Sequence, residues 1–340
     1  MNVLVVRLGA LGDVVHTIPA VAALRAAMPH ARIDWLVEAK HRAIVDLVAP
    51  VDRVVTLNGR TIGAWVDAIR RLRETHYDVA LDFQGLMKSA VFARASGARR
   101  VAGFSIWHLR EKSARPFYSE TDQASARSQD HATVHVIHKN LHLLKVLGID
   151  ATLVEFPLAR VPSRALEQIR LRLGDVPFAL INPGAAWPNK RWPAQRFGEV
   201  ATFLREVRGL ASIVLWGPGE QQLAQSVVEA AGGAAHLSPA TDIPDLVEIS
   251  RAAAIMVSGD TGPLHIAAAV GTPTFALYGP TDPDRNGPWD RDDVKISRFD
   301  ACDCHYQRAC RRSDWCLGRV SVAEVTAGIQ QRLTSSGSHG

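Results

Sequence analysis

Short, continuous apolar runs recur along the chain, and each is followed by a turn and then by apolar residues at helical spacing. In the first half the runs lie at residues 3–6, 33–37, 54–57 and 79–83. In the second half they lie at residues 178–181, 212–216, 252–257 and 273–278. Runs of this length suit buried strands, and the intervening periodic stretches suit amphipathic helices. The alternation predicts an α/β protein with parallel, doubly wound sheets.

The strand–helix pattern starts twice, which indicates two domains. With 340 residues the chain is longer than one hydrophobic core usually serves. The proline-containing stretch 151–163 suits a linker. We therefore predict domains over residues 1–155 and 164–320, with a C-terminal helix and tail over 321–340. Two such domains are expected to face each other across a cleft that binds ligand.

A glycine-containing turn follows the first predicted strand and leads into a helix predicted over residues 14–25. The turn contains Gly9, Gly12 and Asp13 but neither a dinucleotide fingerprint nor a P-loop. In open α/β sheets ligands bind at the carboxyl ends of the strands, where this turn lies. Asp13 is thus either a helix N-cap or a carboxylate that faces the ligand as a general base. A second polar turn of the same kind, which includes Asp82, precedes the helix predicted from residue 86.

A third strand-to-helix turn has the sequence Ser-Gly-Asp-Thr-Gly-Pro-Leu-His over residues 258–265. The first N–H groups of a helix have no partner within it, and the helix dipole favours negative charge there. Pro263 fits the first helical turn, where its missing N–H is harmless. The turn predicts either a cradle for a diphosphate or an ordinary capped junction.

Composition and charge limit the classes of partner. Hydrophobic residues make up 47% of the chain and charged residues 21%, as in ordinary globular proteins. There is no apolar run long enough to span a membrane, and the first apolar run is too short for a signal peptide, so we expect a cytoplasmic protein. The formal net charge is +5. No RNA-binding, zinc-finger or helix-turn-helix motif is present, and no nucleic acid partner is expected.

Basic residues are concentrated in residues 94–115, where one acidic residue, Glu111, accompanies six cations. These cations are Arg94, Arg99, Arg100, Arg110, Lys112 and Arg115. Such a stretch suits an anionic partner, or it is simply a solvated basic face.

Four cysteines lie late in the chain: Cys302, Cys304, Cys310 and Cys316. Their spacing, C-x-C-x₅-C-x₅-C, departs from the paired C-x₂-C pattern of common zinc sites. Clustered thiols in a reducing compartment favour a structural metal such as zinc over disulfides, and free thiols are equally compatible with the spacing. No other cluster of metal-ligating residues requires a catalytic metal.

Taken together and in order, several of these stretches resemble the ADP-heptose:lipopolysaccharide heptosyltransferases of glycosyltransferase family 9, most of all the heptosyltransferase I branch. The first is Leu-Gly-Ala-Leu-Gly-Asp-Val-Val-His-Thr-Ile-Pro-Ala at residues 8–20, and the second is Asp-Phe-Gln-Gly-Leu-Met-Lys-Ser at 82–89. The others are Asn-Pro-Gly at 182–184 with Lys-Arg-Trp-Pro at 190–193, the turn at 258–265, and Tyr-Gly-Pro-Thr-Asp-Pro at 278–283. The resemblance covers nearly the whole chain.

The resemblance implies a GT-B fold of two Rossmann-like domains, the first binding acceptor and the second binding the nucleotide sugar. It implies inverting transfer of L-glycero-D-manno-heptose from ADP-heptose to a Kdo residue of the lipopolysaccharide inner core, with no cofactor or catalytic metal. Asp13 matches the catalytic base and Lys190 a lysine that contacts the donor phosphates. The expected donor-binding residues are Ala185, Ala186, Glu220, Asp260, Thr261, Gly262, Pro263 and His265. The expected acceptor-binding residues are Gly12, Gln84, Lys88 and Arg110.

We further expect a monomer that contacts the anionic cytoplasmic face of the inner membrane peripherally and takes a Kdo-lipid A type acceptor. Three alternatives remain at this stage. One is heptosyltransferase II or another core glycosyltransferase of the same family. The second is a nucleotide-sugar epimerase of GT-B architecture, which would need no acceptor. The third is a non-catalytic protein that binds anionic glycolipid.

Overall fold

The computed structural model describes residues 1–122 and 134–335. The chain forms two compact units, Met1–Ala159 and Arg160–Gly340. The boundary lies inside the stretch 151–163 that was predicted as a linker. Part of this stretch packs on the first unit, because Ala159 N–H donates to Leu47 O at 2.8 Å and Ala49 N–H donates to Pro157 O at 3.1 Å.

The first unit is built on a six-stranded sheet in which every described pair of neighbouring strands is parallel. Its strands are β1 (Asn2–Val6), β2 (Arg32–Glu38), β3 (Arg53–Leu57), β4 (Val79–Asp82), β5 (Arg100–Gly103) and β6 (Glu120–Thr121). Its helices are α1 (Leu11–Val15), α2 (Ile18–Ala27), α3 (Arg42–Val45), α4 (Ile62–Leu72), α5 (Met87–Ala95) and α6 (Val136–Leu143). The strand order is β3-β2-β1-β4-β5-β6. Large side chains such as Trp35 and Phe92 are fully buried in its core.

The helix predicted over residues 14–25 is wrong as one element, because the chain forms α1 and α2 with a break at His16 and Thr17. Pro19 has no N–H to donate to the carbonyl four residues earlier, so a continuous helix would lack that bond. The Thr17 hydroxyl instead donates to Asp13 O at 2.9 Å. α2 therefore begins at Ile18 with its proline in the first turn, where proline is tolerated.

The stretch 104–131 was predicted to be irregular. In its described part the chain forms a short 3₁₀ helix, Lys112–Phe117, and the edge strand β6. Residues 123–131 of that prediction lie outside the described residues, as does the end of the predicted tail, 336–340. The helix predicted over 135–147 is observed as α6 followed by a 3₁₀ turn, Leu144–Leu147. It stops at Gly148, whose φ of 74° is the left-handed value that glycine adopts freely.

The second unit repeats the architecture with six more parallel strands. These are β7 (Phe178–Asn182), β8 (Ala211–Val214), β9 (Ala235–Leu237), β10 (Ile255–Gly259), β11 (Thr274–Tyr278) and β12 (Val294–Ser297). Its helices are α7 (Arg164–Leu173), α8 (Ala194–Arg208), α9 (Gln221–Ala230), α10 (Ile243–Ala252), α11 (Gly262–Ala269), α12 (Pro283–Asn286) and α13 (Val322–Ser335). The C-terminal helix α13 belongs to this unit, since Val325 and Ile329 are buried in its core.

Both sheets have the same topology. The second sheet runs β12-β11-β10-β7-β8-β9. If its strands are renumbered from β7 as the first strand, and the sheet is read from the β9 edge, the order is 3-2-1-4-5-6, as in the first sheet. This is the doubly wound, Rossmann-like order, and it predicts ligand binding where the strand order reverses. That point lies between β1 and β4 in the first unit and between β7 and β10 in the second. Among the described residues no helix is both long and apolar enough to cross a membrane.

Candidate active site

In the second unit, the turn between β10 and α11 lies at the point of strand reversal. Thr261 is the N-cap residue, with extended backbone, and Pro263 lies in the first helical turn as predicted. Thr261, Gly262 and Pro263 are each partly exposed, whereas Asp260 and His265 are buried. The start of α11 is thus partly accessible to solvent, and the first N–H groups of a helix, which have no partner within it, can bind an anion.

Four side chains converge on the buried carboxylate of Asp260. Lys190 Nζ lies 2.5 Å from Oδ2, and the Thr281 hydroxyl donates to the same oxygen at 2.7 Å. His265 Nε2 lies 3.1 Å from Oδ1, and the Asn286 amide donates to that oxygen at 3.0 Å. Both carboxylate oxygens are therefore saturated by protein groups.

Electrostatics keeps Asp260 ionised. Burial alone would raise the pKa of this carboxyl, but the hydrogen bond with His265 and the positive charge of Lys190 outweigh it and lower the pKa well below its usual range. A buried, saturated carboxylate is poorly suited to touch an anionic ligand. Asp260 and His265 were predicted to bind the donor; in the structure both are buried, and Asp260 contacts both His265 and Lys190. Sequence reasoning missed Thr281 and Asn286, although Thr281 lies in one of the quoted motifs.

Lys190 is the cation of this turn. Its side chain is 15% exposed, and its Nζ lies 4.6 Å from the centre of the Trp187 ring. The residue ends a short 3₁₀ helix, Pro188–Lys190, in the loop after β7. A lysine that is held by a buried carboxylate and an aromatic face has little freedom, so its charge is fixed at the edge of the turn.

The end of β7 and the loop that follows it lie beside the turn between β10 and α11. The Asn182 amide donates to Ser258 Oγ and to Thr261 Oγ1, both at 2.9 Å, which joins the ends of β7 and β10. Glu220, the N-cap residue of α9, has its carboxylate against Gly184, where a Cβ would stand 2.2 Å from Oε2. A side chain at position 184 would therefore require the Glu220 carboxylate to move.

The same loop carries the two alanines predicted to bind the donor. Ala185 is buried and its carbonyl accepts from Arg191 Nε at 2.9 Å, whereas Ala186 is exposed. Arg191 also lies 3.6 Å from Glu220. The structure thus brings Ala185 and Glu220 together through Arg191, a residue that the sequence did not single out.

In the first unit, Asp13 lies in the first turn of α1 at the matching point of strand reversal. It is not an N-cap, because Ala10 holds that position. Its Oδ1 lies 2.8 Å from an Arg7 guanidinium nitrogen, with side-chain exposures of 21% and 6%. Arg7 also donates to the Phe83 carbonyl, and Trp35 Nε1 donates to Arg7 O at 3.2 Å. A buried guanidinium anchored on backbone therefore orients a partly exposed carboxylate.

The predicted acceptor residues occupy different environments. Gly12 is partly exposed within α1, and Arg110 is exposed. Gln84 Oε1 accepts from Leu8 N–H at 2.8 Å and so joins the chain after β4 to the chain after β1. Lys88 Nζ lies 2.9 Å from Glu38 Oε1 and is 25% exposed.

Asp82 is internal and cannot face a ligand. It is fully buried and accepts hydrogen bonds from the Tyr118 and Ser89 hydroxyls and from the N–H groups of Gln84 and Gly85. Burial raises the pKa of its carboxyl, although these bonds act in the opposite direction. The polar turn after β4 is thus held in place by the buried carboxylate of Asp82.

A further titratable group, His41, lies near Asp13. Its ring atoms lie 2.9 Å from the position where a Cβ on Gly9 would stand. Burial, with the nearby charge of Lys40, lowers the pKa of His41 to about 4, against the opposite influence of Glu38 and Asp13. His41 is therefore a neutral imidazole at neutral pH, a feature that its sequence position does not reveal.

The basic stretch 94–115 is partly neutralised. Arg100 makes two bonds of 2.6 Å with Glu120, and Arg99 lies 3.9 Å from Asp78. Arg94, Arg110 and Lys112 are exposed. The cations available to an anionic partner are thus fewer than the sequence count indicates.

The four cysteines have buried or half-buried sulfurs and form no disulfide. Cys302 and Cys304 approach to 3.4 Å between their sulfurs. In residues 1–122 and 134–335, no group of three or more His, Cys, Asp or Glu side chains is arranged so that it could hold a metal ion.

The chain is similar in sequence and in fold to known glycosyltransferases. The sequence profile of glycosyltransferase family 9 (heptosyltransferase) matches residues 65–315. Lipopolysaccharide heptosyltransferase 1 of Pseudomonas aeruginosa is 29% identical over 91% of this chain and 87% of its own. The solved structure of the Escherichia coli heptosyltransferase WaaC with ADP has a TM-score of 0.75 at 24% identity, covering 98% of each chain. Escherichia coli ADP-heptose lipopolysaccharide heptosyltransferase II has a TM-score of 0.78 at 20% identity, covering 99% of this chain and 100% of that one.

These two structural likenesses establish a shared α/β fold of the GT-B type, as the sequence predicted. The family profile spans well over half of the chain and includes Lys190, Glu220 and the turn at 258–265. The chain therefore belongs to glycosyltransferase family 9, the heptosyltransferases.

Proposed function

We propose that this protein transfers L-glycero-D-manno-heptose from ADP-heptose to a Kdo residue of the lipopolysaccharide inner core, with inversion at the anomeric carbon. The observation that carries the proposal is the Lys190–Asp260 pair at the start of α11, where a fixed cation adjoins a partly exposed helix start. The relative from Pseudomonas aeruginosa is named lipopolysaccharide heptosyltransferase 1, and the WaaC structure contains ADP. Both names support this donor and this pathway.

The second unit is proposed to bind the donor. Lys190 and the first N–H groups of α11, at Thr261 and Gly262, stabilise the diphosphate and the charge that develops as ADP leaves. Asp260 and His265 keep Lys190 and the turn in place, and Pro263 sets the start of the helix. The rest of the donor is bound by Ala185 and Ala186, in the loop after β7, and by Glu220, at the start of α9.

The first unit is proposed to supply the base. The Asp13 carboxylate takes the proton of the acceptor hydroxyl while the acceptor oxygen bonds to the anomeric carbon. In the same step the bond from that carbon to the diphosphate oxygen breaks, and ADP leaves with the electron pair. The cations named above stabilise the leaving group, so this route calls for no catalytic metal. Arg7 positions the carboxylate, since its guanidinium is anchored to the Phe83 carbonyl.

Acceptor recognition is proposed for Gly12, Gln84, Lys88 and Arg110. Kdo-lipid A carries carboxylates and phosphates, and the exposed guanidinium of Arg110 and the partly exposed ammonium of Lys88 have the complementary charge. Exposed Arg94 and Lys112 would also attract an anionic membrane surface. We therefore propose a monomer that works peripherally at the cytoplasmic face of the inner membrane.

The test is ADP release with a panel of acceptors. The protein is incubated with ADP-heptose and Kdo-lipid A, with the same lipid already carrying one heptose, or with no acceptor. Release that requires Kdo-lipid A supports the proposal. Release only with the heptose-bearing lipid would assign the chain to heptosyltransferase II, and no release with either acceptor would contradict both.

A further inference from the structure

The cysteine-rich segment is an irregular loop between β12 and the 3₁₀ turn Cys316–Arg319. Residues 298–315 contain no strand or helix. Within residues 300–314, all of which the structure describes, the buried residues are Cys302 and Cys304 alone, with Cys310 half-buried. The remaining residues of this stretch are exposed. The loop therefore has no apolar core of its own, and its buried side chains are those of cysteines.

The sulfurs form one connected cluster. Cys302 Sγ lies 3.4 Å from Cys304 Sγ. Cys316 is buried in the same cluster, and Cys310 packs against it. The four side chains pack together as a group separate from the main core. A small cavity of about 10 Å³ is lined by Cys302, Cys310 and Cys316, together with Ala301 and the charged residues Asp303, Arg312, Asp314 and Arg319.

We propose that Cys302, Cys304, Cys310 and Cys316 bind one structural Zn²⁺ ion in tetrahedral sulfur coordination. With Zn–S bonds of about 2.3 Å, the ligand sulfurs of such a site stand roughly 3.8 Å apart, so the Cys302–Cys304 pair is already close enough for both sulfurs to bind one ion. In the structure the four sulfurs are not arranged around one common metal position. Cys310, the least buried of the four, is the ligand that moves most when the ion is bound.

One contact resembles the outer shell of a thiolate site. The Asn189 side-chain amide donates to Cys304 Sγ at 3.6 Å. N–H donors to metal-bound sulfur orient the ligand and stabilise its charge. The same amide donates to Gln307 O at 3.0 Å, so Asn189 also secures the loop backbone.

The loop braces the donor half of the candidate active site. Asn189 immediately precedes Lys190, and Tyr306 N–H donates to Pro280 O at 2.8 Å, next to Thr281. Cys316 Sγ lies 2.9 Å from the position where a Cβ on Gly279 would stand. The ion would thus hold in place both chain segments that supply Lys190 and Thr281 to Asp260, and its role would be structural.

The test uses the full-length protein, purified under reducing, oxygen-free conditions. Its zinc content is measured, the zinc is removed with a chelator, and Co²⁺ is titrated in while the visible and near-ultraviolet spectra are recorded. We expect one zinc ion per chain. Co²⁺ should give tetrahedral d–d bands and sulfur-to-cobalt charge-transfer absorption. Removal of zinc should lower the melting temperature.

Cys302→Ser and Cys316→Ser should lose the bound ion, whereas Ser313→Ala, an exposed change in the same loop, should keep it. The wild-type cobalt spectrum does not depend on whether the variants fold. A wild-type protein that retains no zinc and gives no tetrahedral cobalt spectrum would overturn the proposal. A disulfide between these cysteines in protein kept under reducing conditions would also overturn it. Cysteine-to-serine variants that bind zinc as tightly as the wild type would do the same.

Discussion

Lys190 and Asp260 form a buried ion pair with 2.5 Å between Nζ and Oδ2, although 70 residues separate them in the chain. Lys190 comes from the loop after β7 and Asp260 from the end of β10, strands that are neighbours in the sheet. The pair places a positive charge at the start of α11 and fixes it there. Breaking a buried pair by removing one partner typically costs about 3–5 kcal/mol, because the other charge is left uncompensated.

The first prediction separates the structural role of this pair from its role in catalysis. Lys190→Met should lower turnover by about 10²–10³-fold, the usual effect of removing one stabiliser of developing negative charge. It should also lower the free energy of unfolding, because Asp260 remains buried without its cation. The double variant Lys190→Met with Asp260→Asn removes both charges and should regain much of the stability but none of the turnover. Denaturant unfolding and ADP release measure the two effects. Recovery of turnover in the double variant would show that Lys190 acts only on stability.

A second prediction concerns acid stability. A carboxyl whose pKa is lowered on folding stabilises the protein at pH values above its ordinary pKa, about 3.9 for aspartate. That contribution is lost as the pH falls through this value toward the lower pKa of the folded state. The free energy of unfolding of the wild type should therefore decrease more steeply between about pH 5 and pH 2 than that of Asp260→Asn. Parallel curves for the two proteins would mean that the pKa of Asp260 is not lowered by its partners.

Asp13 provides the third prediction. Asp13→Asn should lower turnover by about 10²–10⁴-fold, the range typical of general-base catalysis. Binding of ADP-heptose, measured by calorimetry, should be unchanged. A matched control is Asp46→Asn, because Asp46 also pairs with an arginine, Arg42, at 3.0 Å but on the exposed surface. Asp46→Asn should leave turnover unaltered, and an Asp13→Asn protein with near-normal turnover would eliminate Asp13 as the base.

The fourth prediction is the titration of His41. Because burial and Lys40 lower its pKa to about 4, its imidazole should stay neutral as the pH falls through 6.5. Nitrogen chemical shifts of the ring, assigned by comparison with His41→Gln, report the protonation state directly. The neutral form also predicts a loss of stability between pH 6.5 and about 4, since the unfolded chain binds a proton there that the folded chain does not. A midpoint near 6.5 would show that His41 is solvated.

The sequence predicted the elements that carry the sites better than the contacts inside them. Continuous apolar strands and strand-to-helix turns made the positions of Asp13, Lys190 and Asp260 recognisable. The strands β5, β6, β9 and β12 were missed because they are short or alternate polar and apolar residues. The break between α1 and α2 was missed because Pro19 was taken as tolerable near the start of one longer helix.

The partners of the site residues were hidden for a different reason. Arg7 looks like a surface cation that follows a strand, yet it is buried because the Phe83 carbonyl, 76 residues away, accepts from it. Asn286 reaches Asp260 from α12, at a separation of 26 residues. Local pattern carries no information about such pairings, since they depend on which strand ends the topology brings together.

The most direct test of the proposed activity is the mass of the acceptor after reaction. Kdo-lipid A incubated with the protein and ADP-heptose should gain the mass of one heptose, with one ADP released for each heptose added, and the Asp13→Asn protein should leave the lipid almost unchanged in the same time. Kdo-lipid A that keeps its original mass with the wild-type protein, while ADP-heptose stays intact, would contradict the account.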